Sequence, residues 1–194
     1  MTSSAPDHDV LAGLVRRAQA GDADAFRRLL GEVHGRVYRW ALGLTGEPDE
    51  ADDVAQAVLL KLHRHLSAYR GRGRLTTWLY RITRNEAGQR ERQRRRRRAL
   101  LEERTDALPA AYEPAAPIDA RRLAALVHAR FRQLPERQRE VFDLVDLQGY
   151  APAEVAEMLG TTPVTVRTNL LRARRAIRGW ILESHPELVE EYRS

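Results

Sequence analysis

The segment that most constrains the fold is residues 150–177, YAPAEVAEMLGTTPVTVRTNLLRARRAI. Pro152 suits the first turn of a helix, because the N–H that proline lacks has no partner there, and Gly160 suits a sharp turn at its end. Thr162 is a good N-cap for a second helix that begins with Pro163. These signals together predict a helix-turn-helix, a motif whose second helix enters the DNA major groove.

The second helix of this motif has one apolar and one cationic face. Residues recurring at spacings of four, three and four predict a buried stripe of Val166, Leu170, Ala173 and Ile177. The side chains expected outside are Thr165, Arg167, Thr168, Leu171, Arg172 and Arg175. Polar and cationic groups on this face suit the reading of base edges. The alternative interpretation is a plain helical hairpin with a solvated basic face.

The charge of the chain also favours a nucleic-acid partner. Its formal net charge is +6 and its sequence pI is near 10.2. Lys61 is the only lysine, so nearly all of the positive charge is arginine, whose planar fork suits phosphates and base edges.

The sequence has no cysteine and none of the common catalytic motifs. The chain has no cysteine, which excludes disulfides and thiolate metal sites, and it has no HExxH, Walker loop or nucleophile elbow. We therefore predict no enzymatic activity, no cofactor and no metal.

The N-terminus does not resemble a signal peptide, and no apolar run approaches the roughly 18 residues needed to span a bilayer. We expect a cytoplasmic protein without membrane insertion.

Helical periodicity along the chain predicts an all-α protein of two small domains joined by a flexible linker. We expect the first domain over residues 9–98, with one helix after the N-cap Asp22, another ending at Gly46, a third over 49–66 and a fourth from Thr76 into the arginine run 90–98. Residues 105–117 carry three prolines, so we predict a linker over 99–119. The second domain then covers 120–183, and 184–194 form a polar tail.

The loop over residues 67–74, SAYRGRGR, and the helix after it form a second candidate DNA-binding site. Glycines permit close approach to unpaired bases, and Tyr69 offers a stacking face. The candidate residues are Tyr69, Arg70, Arg72, Arg74, Trp78, Arg81, Arg84 and Asn85. An ordinary surface loop is the alternative, and the position of Trp78 in an apolar stripe with Ile82 favours a core role for it.

Several stretches of the sequence resemble one family in the right order. EADDVAQAVLLK (50–61), LTTWLYRITRN (75–85) and the arginine run are similar to region 2 of the extracytoplasmic-function sigma factors of bacterial RNA polymerase. LPERQREVF (134–142) and the helix-turn-helix are similar to region 4. The resemblance covers about residues 10–98 and 120–180. The chain departs from the family pattern at Ala57 and Asn169.

This resemblance implies two helical domains that bind core RNA polymerase and recognise a promoter together. It implies that Asp53 and Gln56 dock on the β′ clamp helices, that the loop 67–74 and the following helix capture and melt the −10 element, and that region 4 also contacts the β flap. The residues implied in reading the −35 element are Pro163, Thr165, Arg167, Thr168, Arg172 and Arg175. An anti-sigma protein is common in the family and stays a candidate partner.

Two other classes of function remain open on the sequence alone. A helix-turn-helix repressor or activator would bind a pseudo-palindrome as a symmetric dimer, whereas a sigma factor would act as a monomer with core polymerase. An enzyme with a DNA-binding appendage would need a catalytic constellation. The linker favours the sigma factor, because about 21 residues extend to roughly 70 Å, or two turns of DNA at about 34–36 Å each.

Overall fold

The protein is described here by a computed structural model, which covers residues 8–71, 73–102 and 130–184. Within these ranges helices are joined by turns and no β-strand occurs. The predicted all-α class and its two helical domains are confirmed. None of the helices in these ranges is long and apolar enough to cross a membrane.

The first domain is a bundle of four helices. They are α1 (His8–Gln19), α2 (Ala23–Thr45), α3 (Pro48–His65), which continues into a 3₁₀ turn at Leu66–Ala68, and α4 (Leu75–Glu102). Asp22 is the predicted N-cap of α2, and its carboxylate accepts a hydrogen bond of 2.9 Å from the backbone N–H of Ala25. This bond, together with Arg17, lowers the pKa of the Asp22 carboxyl.

The expectation of two helices between Asp22 and Gly46 is wrong, because α2 is continuous over 23 residues. Its buried face runs unbroken through the middle of the helix, at Leu29, Val33, Val37 and Trp40. Packing of this face outweighs the low helix propensity of Gly31 and Gly35. Gly46 ends the helix as predicted, with a positive φ of 73°.

The core of the first domain lies where α2, α3 and α4 meet. Val54, Val58 and Leu62 of α3 are buried there, together with Leu66 of the 3₁₀ turn. On α4 the buried residues include Leu79 and Tyr80, and the ring of Tyr80 meets that of Trp40 edge-on at 5.6 Å. This packing fixes the register of α4 against the rest of the bundle.

The arginine run continues α4 as a helix to Glu102, four residues into the predicted linker. Acidic side chains of α3 neutralise part of it: Arg90 donates to Asp53 at 2.7 Å, and Arg94 donates to Glu50 at 3.3 Å. The remaining residues of the predicted linker, 103–119, and the tail 185–194 lie outside the described residues.

The second domain contains the helix-turn-helix. After a helical turn at residues 130–133, the chain breaks at Leu134 and Pro135 as expected. It then forms α5 (Glu136–Phe142), a wider π-helical turn at Asp143–Leu147, α6 (Pro152–Leu159) and α7 (Pro163–Ser184).

Each local signal of the helix-turn-helix is confirmed. Gly160 adopts a positive φ of 63°, and the hydroxyl of Thr162 accepts a hydrogen bond of 3.2 Å from the backbone N–H of Thr165. The whole predicted stripe of α7 is buried, at Val166, Leu170, Ala173 and Ile177. On α6, Met158 is buried with Val155 and Ala156, while Leu159 is half-buried.

The two domains pack against each other. α4 lies against α6, and the turn after α5 lies against α2. The ring of Tyr150 approaches that of Trp40 at 6.3 Å, and burial at this contact raises the pKa of the Tyr150 hydroxyl. The relative placement of the domains is a feature that the sequence does not predict.

Candidate nucleic-acid interface

A cavity of about 400 Å³ opens between the end of α3 and the first half of α4. Its lining residues are Lys61, His65, Ala68, Tyr69, Trp78, Ile82, Asn85, Glu86 and Gln89. Three residues of the predicted −10 set, Tyr69, Trp78 and Asn85, thus share one site. Lys61, Glu86 and Gln89 were not predicted there, although Lys61 is the one lysine in an arginine-rich chain.

One wall of the cavity is aromatic. The rings of Tyr69 and Trp78 lie 5.4 Å apart at 45°. Trp78 has both of the roles considered for it, because its half-buried side chain packs against the core, as Ile82 does, and also lines the cavity. A half-buried aromatic surface of this kind suits stacking with an unpaired base.

The loop that carries Tyr69 is held in place by hydrogen bonds. The Tyr69 hydroxyl donates to the backbone carbonyl of Gly73 at 2.8 Å. From α1, the Gln19 amide donates to the carbonyls of Leu66 at 2.8 Å and Tyr69 at 2.7 Å. Gly71 has a φ of 67° and Gly73 a φ of 102°, a region that side-chain-bearing residues avoid. Burial raises the pKa of Tyr69, so its hydroxyl stays a donor at neutral pH.

The opposite wall of the cavity is polar. Lys61 forms an ion pair with the buried Glu86. Asn85 is exposed, and no hydrogen bond of its amide is found among the described residues. The cavity therefore presents a stacking surface on one side, with an ammonium group and a free amide on the other, which suits both faces and edges of a base.

The arginines predicted at the −10 site lie beside this cavity and contact the second domain. Arg74 donates to the carboxylate of Glu154 at 2.7 Å. Arg81 donates to the backbone carbonyl of Glu157 at 3.3 Å. Arg84 donates to the carboxylates of Glu136, at 3.2 Å, and Glu140. Arg70 is exposed, and Arg72 lies outside the described residues.

The recognition helix α7 presents its predicted face to solvent. Thr165, Arg167, Thr168, Arg172 and Arg175 are all exposed, and Pro163 is half-buried at the first turn. The Thr168 hydroxyl donates to the carbonyl of Val164 at 3.0 Å, and the Asn169 amide donates to that of Thr165 at 2.9 Å. These two residues are thus engaged with their own helix, whereas the arginines extend outwards.

Two apolar residues are exposed on this face of α7, of which Leu171 was expected outside and Val164 was not. Val164 is 66% exposed and Leu171 is 49% exposed, seven residues apart on the same face as Thr168. Apolar side chains in the major groove contact the methyl group of thymine. Val164 could have been found from the sequence, because it lies outside the predicted stripe of Val166, Leu170, Ala173 and Ile177.

The outer face of α3 carries the predicted polymerase-docking residues. Asp53 and Gln56 are exposed, and Leu60 on the same face is 57% exposed. Arg90 donates to both the carboxylate and the backbone carbonyl of Asp53, at 2.7 and 3.2 Å, which fixes the direction of this carboxylate. No cluster of metal-ligating side chains occurs in the described parts of the chain.

Family models match both domains. The model for Sigma-70 region 2 matches residues 29–97, and the model for Sigma-70 region 4 matches residues 124–177. Together they span more than half of the chain. The first match contains the cavity and the docking face, and the second contains the helix-turn-helix.

Curated relatives match over most of their length. The RNA polymerase sigma-H factor of Pseudomonas aeruginosa is 32% identical over 173 residues, covering 84% of this chain and 90% of that protein. The sigma factor SigM of Mycobacterium tuberculosis is 32% identical, covering 84% of this chain and 80% of that protein. The sigma-E factor of Escherichia coli is 30% identical, with coverages of 84% and 90%.

Solved structures have the same fold. The sigma factor RpoE of Bartonella quintana, in complex with the anti-sigma factor NepR, matches with a TM-score of 0.62 at 23% identity, covering 80% of this chain and 96% of that one. CnrH, in complex with the cytosolic domain of CnrY, matches with a TM-score of 0.65 at 23% identity, covering 92% and 99%.

Proposed function

Because this chain belongs to the extracytoplasmic-function sigma factors, as SigM and the Escherichia coli sigma-E factor do, we propose how its surfaces divide the work of binding core RNA polymerase and directing promoter-specific initiation. A member of this family is not an enzyme, since the polymerase supplies the chemistry. What the factor contributes is recognition of duplex DNA, capture of an opened strand and attachment to core. The proposed site of action is the cytoplasm, where core polymerase is.

The cavity between α3 and α4 is the proposed site for an unpaired base of the −10 element. The observation that carries this assignment is that Tyr69, Trp78 and Asn85 converge on one opening with Lys61 at its edge. Stacking on an aromatic ring tolerates any base, while an amide selects among base edges. Arg70, Arg72, Arg74, Arg81 and Arg84 are the proposed contacts for the phosphates of the same strand.

The exposed face of α7 is the proposed reader of the −35 element. Arg167, Thr168 and Arg172 lie towards the N-terminal half of the helix, the part that enters the groove. Arg175 lies one turn further along, at a place suited to a phosphate. Pro163 and Thr165 lie at the start of the helix, where backbone N–H groups attract an anion.

The outer face of α3 is the proposed docking site for the β′ clamp helices. Replacing both Asp53 and Gln56 by alanine removes two exposed polar groups, which ordinarily changes the free energy of unfolding by less than about 0.5 kcal/mol. We therefore expect an unchanged melting temperature and a loss of core binding in gel filtration. Glu32→Ala, an exposed acid on α2, is the control, and equal core affinity in both variants would move the docking site elsewhere.

The function as a whole is tested by run-off transcription with purified core polymerase on a pool of genomic fragments. We expect initiation at a set of start sites that share one −10 and one −35 sequence. A stable dimer on a palindromic duplex without polymerase would instead support a repressor. An anti-sigma protein is a further proposed partner, and affinity capture with the full chain from its own cells tests for one.

A further inference from the structure

A second cavity, of about 660 Å³, lies between the C-terminal end of α2 and the turn that follows α5. Its lining residues are different from those of the cavity between α3 and α4, and none of them has a role in the DNA and core contacts proposed above. Sites for small organic molecules in proteins usually have a volume of about 300–1,000 Å³. The cavity is therefore large enough for a small molecule, and its residues are not needed for the contacts with DNA and core.

The charged side chains that line this cavity are mostly cationic. Two acids line it, Glu91 and Asp143, against four arginines. The four are Arg39, Arg95, Arg132 and Arg139, and we name the site the arginine cavity. An excess of guanidinium groups favours an anionic ligand, because a guanidinium binds carboxylate and phosphate oxygens in pairs.

The hydrogen-bond donors of these arginines are only partly used. Arg132 donates to the carbonyl of Gly46 and to Glu47, both at 3.3 Å. Arg139 donates to the carbonyl of Arg132 at 3.1 Å. Arg39 is exposed, and no hydrogen bond or ion pair of its guanidinium is found in the described parts of the chain. Since a guanidinium carries five N–H donors, Arg39 offers a complete fork to an anion.

Apolar side chains form much of the remaining lining of the arginine cavity. The rings of Phe131 and Phe142 lie 6.0 Å apart, and Phe142 is half-buried. Leu42 is half-buried as well, whereas Leu147 is 63% exposed. Sites for small molecules combine such apolar walls with a few polar groups that orient the ligand. The lining therefore suits a ligand with an apolar body and one anionic group.

Gln148 provides an independent sign of a ligand at this site. Its amide nitrogen donates to the carboxylate of Asp143 at 2.6 Å and to the carbonyl of Arg39 at 3.5 Å. Its amide oxygen is buried and has no hydrogen-bond partner within the described residues. A buried acceptor without a partner destabilises the protein. A ligand that carries an N–H or O–H group beside its apolar body would supply the missing donor.

We propose that the arginine cavity binds a small amphipathic anion, whose acidic group is held by Arg39 and whose apolar body packs on Phe142 and Leu147. A carboxylate, a phosphate and a sulfonate share the oxygen geometry that a guanidinium fork binds. The lining residues belong to both domains, so the bound anion stabilises the arrangement in which these residues are together. The concentration of a small molecule thus acts directly on this factor.

Anilinonaphthalene sulfonate is a suitable fluorescent probe, because it combines an apolar body, an N–H donor and one anionic group. Its neutral counterpart, phenylnaphthylamine, lacks only the sulfonate. Titration of the full chain with each probe measures the affinity and the number of sites. We expect one site for the anionic probe and weaker binding of the neutral one, and equal affinities for the two probes would overturn the proposal.

Arg39→Gln tests the anionic group. Its matched control is Arg28→Gln, which removes an exposed arginine of the same helix outside the cavity. We expect Arg39→Gln to weaken the anionic probe about fivefold or more, because charge-assisted hydrogen bonds are lost, and to leave the neutral probe unchanged. Circular dichroism establishes that both variants keep their helices. Equal affinities of the two variants for the anionic probe would show that the sulfonate binds elsewhere, which would overturn the proposal.

Leu147→Gln tests the apolar body. Its control is Val10→Gln, because Val10 is an apolar residue of α1 that is 52% exposed and does not line the cavity. We expect Leu147→Gln to weaken both probes about threefold through loss of apolar contact, while Val10→Gln binds them as the parent does. An unchanged affinity of Leu147→Gln for both probes would place the apolar body outside this cavity and overturn the proposal.

Displacement of the anionic probe by decanoate, decyl phosphate and decanol identifies the acidic group. These compounds share one alkyl chain and differ at its end. We expect both anions to displace the probe at concentrations about tenfold lower than decanol does, and the more effective anion shows whether the site prefers a carboxylate or a phosphate. Displacement by decanol at the same concentrations as the anions would overturn the proposal.

Discussion

The two proposed DNA-binding surfaces of this protein differ in what covers them. The recognition face of α7 is open to solvent, and Arg167, Arg172 and Arg175 on it have no ion-pair partner among the described residues. Of the arginines proposed to bind the opened strand, Arg74 and Arg84 form ion pairs with carboxylates of the other domain, and Arg81 donates to a backbone carbonyl there. The proposed surface for duplex DNA is thus accessible in this arrangement, whereas part of the proposed surface for an opened strand is covered by the second domain.

This difference reflects the two forms of DNA that the surfaces bind. Duplex DNA is present from the start, and phosphate contacts to it are made by any exposed cationic helix. An opened strand appears only during initiation, and a permanently exposed strand-binding site would be occupied by other single strands.

The largest effect that we expect comes from Asp143, which is buried at the contact with α2. Burial raises the pKa of its carboxyl to about 6, so the packed domains bind a proton more tightly than separated domains with an ordinary carboxyl would. The packing of the two domains is therefore stabilised as pH falls from about 6 towards about 4. The total is at most about 3 kcal/mol, at about 1.36 kcal/mol per pKa unit.

Asp143→Asn should behave at pH 7 as the parent behaves near pH 4, with a larger fraction of packed domains when the distance between them is measured by electron–electron resonance on the spin-labelled full chain. The charged residues that share the cavity beside Asp143 are Arg39, Glu91, Arg95, Arg132 and Arg139. Arginine stays charged over this range. If the parent and the Asn variant show the same pH dependence, the titrating group is not Asp143, and the covered surface is not controlled from this position.

The next effect concerns the cavity. We expect Tyr69→Ala and Asn85→Ala to leave initial promoter binding nearly normal and to slow open-complex formation tenfold or more, because loss of stacking costs about 1–3 kcal/mol per base. A template already mismatched across its −10 region should rescue both variants. Equal defects on matched and mismatched templates would show that this surface does not act on the opened strand. The two surfaces would then not differ in the form of DNA that they bind.

Substitutions on α7 should have an effect of similar size, but on the preference for the −35 sequence. Arg167→Ala should relax the preferred −35 sequence, since one arginine that reads a guanine contributes about 1–3 kcal/mol of discrimination. Arg175→Ala should weaken binding to all sequences alike and reduce its salt dependence. Selection of preferred sequences with each variant in holoenzyme measures both. Parental preferences in the Arg167 variant would remove this residue from the reading set.

The smallest expected effect concerns the N-cap of α7, the helix whose recognition face is exposed. Thr162→Ala removes the cap of α7, with an expected loss of about 1 kcal/mol in the free energy of unfolding. Thr161→Ala is the control, because in the described structure only its backbone N–H is engaged, with Ala156. Equal melting temperatures in the two variants would show that packing rather than the cap sets the start of the recognition helix.

Local signals predicted the helix-turn-helix almost completely. The cap at Thr162, the turn at Gly160 and the stripe from Val166 to Ile177 each depend on residues within a few positions of one another, so periodicity and propensity suffice. The same methods failed for α2, where two helices were predicted but one continuous helix carries Gly31 and Gly35 in its interior. A continuous buried face overrides such glycines, and burial is a tertiary property.

The cavity and the domain contact were predictable only in part. Tyr69 and Asn85 were chosen for their chemistry, but the partners Lys61 and Glu86 come together through the register of α3 against α4, which depends on packing of the whole bundle. The contact between Glu140 and Arg84 joins residues 56 positions apart. No local pattern encodes such a pairing, because each residue alone has the character of an ordinary surface charge.

The ion pair at the cavity gives the protein a natural chemical reporter. Lys61 is the one lysine in the sequence, and its side chain is 42% exposed beside Glu86. Amine-directed reagents therefore have a single side-chain target, and that target borders the proposed base site. The rate at which Lys61 is methylated, followed by mass spectrometry, records occupancy of this site in the unmutated protein at every stage of initiation.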